Sequence, residues 1–195
     1  MADFIQDWNS TPAPDDTLSE RSEGSQAFEK KWLEACGDNP IPARDEINLR
    51  RFAPFAPRMA LIEPDRQNRT LPIRLAGSGL YEVTGFDVTG RNYLDFVAEE
   101  IRENAYRDVI TLLDHPCGLW QITPFQMNGM PPMPVEYTLL PISLEGGTTA
   151  DLAVVLVTYR LDLYNKPIQF ERIEHSKLWS WIDLGHGIAK KSRDN

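Results

Sequence analysis

The spacing of apolar positions first gives a helical stripe: Phe28, Trp32, Ala35 and Cys36 fall at i, i+4, i+7 and i+8, with charged residues between them. Ser25 is the expected N-cap and Gly37 the stop. Asn39-Pro-Ile-Pro42 then breaks the helix, and residues 43–54 predict a second short helix or turn. Pro54 and Pro57 keep the following chain extended. Met59-Ala-Leu-Ile-Glu63 is an apolar run bounded by turn signals, which predicts a buried strand. Asp65–Asn68 is a hairpin turn, and Leu71–Ala76, where Ile73 and Leu75 flank Arg74, is the second strand.

Beyond Ala76 the period changes. Gly77 and Gly79 mark a break, Leu80, Tyr81 and Val83 make the apolar face of a short helix ending at Gly85, and Asp87 and Gly90 turn the chain again. Ala98–Asp114 carries Ile101, Ala105, Val109, Leu112 and Leu113 at helical spacing, with Arg102, Glu103, Arg107 and Asp108 opposite, and Pro116 follows its end. Three strand-like runs come next, Gly118–Gln126, Val135–Leu144 and Leu152–Arg160, separated by glycine- and proline-bearing turns. This order predicts an α+β fold: a five-stranded antiparallel sheet with helices on one face, plus an N-terminal helix and a C-terminal extension.

The formal net charge of −9 is uneven along the chain. Residues 1–27 hold six acidic side chains and one arginine, contributing −5. Residues 1–24 read as a disordered acidic tail, 25–165 as the folded domain, and 166–195 as an extension containing Trp179 and Trp181. Basic residues cluster only at Arg50-Arg51 and near Lys190-Lys191, so nucleic-acid binding is not expected. No apolar run approaches the roughly 18 residues of a membrane span. The acidic N-terminal residues lack the features of a secretory signal, which predicts a cytoplasmic protein. Cys36 and Cys117 fit neither a disulfide framework nor a metal site and read as buried apolar fillers.

Candidate chemistry is sparse. His115, His175 and His186 are far apart, and none has a cysteine or carboxylate at metal-ligand spacing. Gly77-Ser78-Gly79 lacks the frame of a dinucleotide loop, a phosphate loop or a hydrolase elbow. Glu99-Glu100 opens a helix, where carboxylates complement the dipole. An enzyme working in an internal cavity would have to draw on Asp87, Asp95, Tyr81 and Tyr106.

Two local motifs carry a resemblance: Arg74-x-x-Gly77 at a strand end, and Gly85-x-Asp87-x-Thr89-Gly90-Arg91 in the loop after the short helix. With Trp32 in the opening helix and Pro42-Ala-Arg-Asp-Glu-Ile47 after it, the region from Phe28 to Asp162 resembles a divergent PAS family of mostly alphaproteobacterial proteins. The chain departs from that family at Ile47-Asn-Leu49, where an Asp-Pro step is expected. The resemblance implies structural roles for Arg74, Gly77, Gly85, Asp87, Thr89 and Gly90. It further implies a non-enzymatic sensory or regulatory module acting through protein contacts, with a pocket between sheet and helices that a small hydrophobic ligand could fill.

Leu80, Tyr81, Phe96, Tyr106, Ile110, Trp120, Phe125 and Tyr137 are the candidates to line that pocket. PAS domains commonly dimerise through an N-terminal helix, so Phe28, Trp32 and Ala35 are the candidate homodimer interface, and Trp179 and Trp181 a candidate contact for a signalling partner. The cofactor is unknown, because the signatures of haem and flavin are not seen. Haem versions place a histidine on or just before the long helix, whereas His115 lies at its far end. Flavin photoreceptors carry a reactive cysteine where this chain reads Gly85-Phe-Asp-Val-Thr-Gly-Arg-Asn92. Two alternatives stand beside this reading: a ligand-free adaptor, and a small α+β enzyme using the same cavity.

Overall fold

The computed structural model describes residues 21–125, 133–160 and 178–189. Its first helix, α1 (Glu23–Cys36), opens on Ser22, whose extended backbone lets its Oγ accept from the Ser25 N–H at 3.1 Å. Ser25, the expected cap, instead lies within the first turn, and its hydroxyl bonds Thr138 Oγ1 at 2.7 Å. Ser22, Glu23 and Gly24 thus form the cap and first residues of α1. Residues 1–20 lie outside the described residues.

The path into the sheet runs through a short helix, α2 (Leu49–Phe52), capped by Asn48. The Asn48 side chain accepts from the N–H groups of Arg50 and Arg51, both at 3.1 Å. Asparagine here satisfies the free donors of a helix start, which gives the departure at Ile47-Asn-Leu49 a local physical reason.

Six strands follow: β1 (Met59–Ile62), β2 (Ile73–Ala76), β3 (Gly118–Phe125), β4 (Met133–Ile142), β5 (Leu152–Tyr159) and β6 (Trp179–Ile182). They form one antiparallel sheet in the order β2-β1-β5-β4-β3-β6. The expected fold class holds, with the strand count raised by one. The added strand comes from the C-terminal extension, where Trp181 pairs with Leu119 and Trp179 with Gln121 along the edge of β3. Gly118 makes room for it, because a Cβ there would sit 2.9 Å from side-chain atoms of both Ile182 and Leu140.

Alternation along β4 assigns the two faces. Glu136, Thr138 and Leu140 point to one, and α1 covers it, packing on β4 and β5. Val135, Tyr137 and Leu139 point to the other, covered by α3 (Ser78–Thr84), the single turn Tyr93–Phe96 and α4 (Arg102–Asp114). The helices expected on one face are α3 and α4, and the expected N-terminal helix, α1, covers the other. The inward positions of α4 are Tyr106, Val109, Leu112 and Leu113. Exposed ion pairs, Arg66 to Asp114 and Arg69 to Glu103 (both 2.6 Å), tie the β1–β2 hairpin to α4. Such pairs hold orientation more than they stabilise, at about 0–1 kcal/mol each.

Candidate functional site

Between the sheet and its roof lies a cavity of about 700 Å³. Its floor is the inward side of three neighbouring strands: Ala60 and Ile62 from β1, Val135, Tyr137 and Leu139 from β4, and Val155, Val157 and Tyr159 from β5. Ile73 of β2 and Leu80, Val88, Tyr93 and Phe96 complete the walls. Glu82, Thr84, Gly85 and Phe86 form its outer end. There the Phe86 and Phe96 rings lie 5.9 Å apart, centroid to centroid, and the Arg91 guanidinium stands 4.7 Å over Phe86.

The loop that shapes this end is set by the residues of the two sequence motifs. Gly77 passes so close to the preceding segment that a Cβ would fall 2.1 Å from the Ala56 carbonyl oxygen, so only glycine fits. Gly85 ends α3 in the left-handed conformation, φ 75°, and its N–H bonds the Tyr81 carbonyl. Asp87 accepts from the Thr89 N–H at 2.8 Å, which holds its carboxyl below the usual carboxylate range. The Gly90 N–H bonds the Ile73 carbonyl at 2.7 Å, fastening the loop to β2. Arg74 is exposed and pairs with Glu63 at 2.6 Å. Of these motif residues Gly85 lines the cavity, and the others support its wall from outside.

The polar groups of the wall are mainly phenols. Burial pushes the Tyr93 hydroxyl up to about 12, with the nearby Asp108 charge adding to the shift. Burial and the neighbouring Tyr93 raise Tyr137 further, opposed in part by a hydrogen bond from Thr123. Tyr159 is raised by burial as well, with Arg58 and Glu82 nearby. All three are neutral hydrogen-bonding groups near neutral pH.

Of the sequence candidates, Leu80, Phe96 and Tyr137 are among the residues lining this cavity, and the other described ones are not. Tyr81 lies on the outer side of α3, 57% exposed. Tyr106 is core on α4, beneath the Arg69 guanidinium at 4.6 Å, and Ile110 packs half-buried against that core. Trp120 pairs with Thr138 and so faces α1, where its indole N–H donates to Glu136 at 2.6 Å. The Phe125 side chain lies outside the described residues. Sequence reasoning missed Tyr93, Val135, Leu139, Val155, Val157 and Tyr159. The signal was available, since Tyr137 on one face of a strand brings Val135 and Leu139 with it.

The interface candidates are also relocated. Phe28, Trp32 and Ala35 are buried within the chain's own fold, so the stripe is filled by the sheet before any second copy could use it. Phe28 packs edge-on against Phe52 and Phe55, and the Trp32 indole N–H donates to the Pro141 carbonyl at 2.7 Å. Trp179 and Trp181 sit half-buried on β6, edge to face at 5.9 Å. None of Asp87, Asp95, Tyr81 and Tyr106 lines the cavity.

Neither described histidine, His115 nor His186, lies on the cavity wall, and no group of metal-ligating side chains occurs among the described residues. His175 lies outside them. Cys36 and Cys117 are both buried away from the cavity, with thiols pushed up by burial, Cys36 to about 11. Among the described lining residues there is neither a histidine nor a cysteine.

An antiparallel sheet with one face filled and the other roofed over a cavity defines an α+β module. A family model described as the PAS domain matches residues 20–157, and the chain belongs to that family. PAS domains are typically non-enzymatic sensory modules. No curated protein matches the chain. Among solved structures, a LOV protein of Rhodobacter sphaeroides is similar at 14% identity, TM-score 0.41, over 54% of this chain and 62% of that one. The match thus spans less than two thirds of that chain. A structure of an RsLOV variant is similar at 14% identity and TM-score 0.42, over 75% and 74% of the two chains. A fungal LOV domain photoreceptor is similar at 19% identity and TM-score 0.37, over 52% and 74%. No helix among the described residues is long and apolar enough to cross a membrane.

Proposed function

We propose that this PAS domain is a non-enzymatic sensory module that holds a small apolar molecule against the sheet and passes its occupancy on by protein contact. The observation that carries the reading is the space of about 700 Å³ lined by Ile62, Leu80, Val135, Leu139, Val155 and Val157. That volume lies within the range of small-molecule sites, about 300–1,000 Å³.

The route outward is β4. Tyr137 borders the cavity, while its neighbours Glu136 and Thr138 hold the first turn of α1. A ligand that shifts this strand alters the docking of α1, and a partner or a second copy reads the outer side of that helix. The test is native mass spectrometry of the protein as purified, with and without N-phenyl-1-naphthylamine, a neutral apolar probe. A mass excess lost on denaturation, or one probe bound per chain, supports the reading, and Val155→Phe should abolish either. Identical native and denatured masses without probe uptake overturn it.

The second reading, a ligand-free adaptor, draws on β6, which places Trp179 and Trp181 together on the edge strand. It requires that a partner be captured through this strand while the cavity binds nothing.

A further inference from the structure

The cavity's polar groups limit the chemistry of its occupant. Among its described lining residues, Glu82 alone carries a formal charge, and Glu82 is exposed at the outer end. No lysine, arginine or histidine is among them. Carrying an isolated charge into such a place costs far more than carrying an unpaired dipole. Asp108 stands close enough to Tyr93 to raise the pKa of its hydroxyl, and Tyr93 does the same to Tyr137. An anionic group here would meet desolvation with no cationic side chain among the described lining residues to offset it. A cation would meet the same desolvation, with Glu82 at the exposed outer end as the one carboxylate among the described lining residues.

The two phenols have hydrogens to give. Tyr93 and Tyr137 both line the cavity, and a phenol hydroxyl can donate as well as accept. A polar group facing an apolar cavity costs free energy until it is matched. We propose that the cavity takes an uncharged lipophilic molecule bearing a carbonyl oxygen, a ketone, quinone or lactone, with Tyr93 and Tyr137 donating to that oxygen. The inference rests on reading the cavity as a ligand site and names the class of ligand.

Three nine-carbon probes that differ only at one end test it by calorimetry at neutral pH: 2-nonanone, nonanoate and nonylamine. The ketone is expected to bind at least about a hundredfold tighter than either ion. Tyr137→Phe and Tyr93→Phe are each expected to weaken it about three- to tenfold, and to weaken it more than they weaken N-phenyl-1-naphthylamine. Equal binding of ketone and carboxylate, or no loss in either phenylalanine variant, overturns the ligand class while leaving the cavity as a binding site. If the ketone fails and the naphthylamine still binds, the class alone falls. If neither binds, the ligand-site reading falls with it.

Discussion

The two faces of this sheet are built from alternate residues of the same strands and have opposite characters. The face under α1 is filled: Leu140 and Ile122 are fully buried, and Trp32 and Phe28 close over them. Its one carboxylate among the described residues, Glu136, is 0% exposed and fully engaged, accepting from the Trp120 indole, from the Ser22 N–H at 2.9 Å and from the Ser22 hydroxyl, with Arg160 at 3.5 Å. The other face is incompletely filled, and three phenols, Tyr93, Tyr137 and Tyr159, line the space. Buried polar groups matched to one another specify a unique docking, whereas unmatched groups around a cavity are the mark of a place for something else.

Substitutions on the two faces should therefore cost different amounts. The largest effect belongs to Glu136→Ala, which leaves Arg160 without this carboxylate and releases the start of α1. Urea denaturation should show a loss of about 3–5 kcal/mol. Trp32→Ala should cost a similar amount, about 3–5 kcal/mol by the same measurement.

The neighbours Leu140 and Leu139 give the sharpest contrast, since they share a strand and a side-chain type. Leu140→Ala opens a void in a filled layer and should fall near the top of the range of about 2–5 kcal/mol, while Leu139→Ala only enlarges existing space and should fall near the bottom. Equal costs would break the comparison. Gly118→Ala should cost about 1–3 kcal/mol by crowding Ile182 off β3.

The smallest effect is a titration. Folding raises the pKa of Tyr93 from the ordinary tyrosine value of about 10 to about 12, so the neutral phenol belongs to the folded state. The stability this contributes is complete below about pH 10 and is lost as the pH rises through the folded value, near 12. Phenolate absorbance should show the cavity tyrosines ionising late, together with alkaline unfolding, and Tyr93→Phe should blunt that alkaline loss.

Much of the fold was legible because it is coded locally. The stripe of Phe28, Trp32 and Ala35, the Gly77 and Gly85 breaks and the apolar runs of β1 and β5 each announce an element within a few residues. The sixth strand was not legible, because Trp179–Ile182 becomes a strand only by pairing with Gly118–Gln121, about sixty positions earlier. The cavity was half legible for the same reason. An aromatic residue on a strand is core or cavity according to register, and the pairing of Trp120 with Thr138 sent it to the opposite face from Tyr137. A stripe that reads as an interface reads equally as a core face, and the sheet claimed it first.

The most direct test of the central claim is fluorescence titration of N-phenyl-1-naphthylamine into the full chain and into Val155→Phe. One saturable site in the wild type, lost in a variant whose circular dichroism is unchanged, is the predicted result. No enhancement in the wild type, or full enhancement in the filled variant, would contradict it.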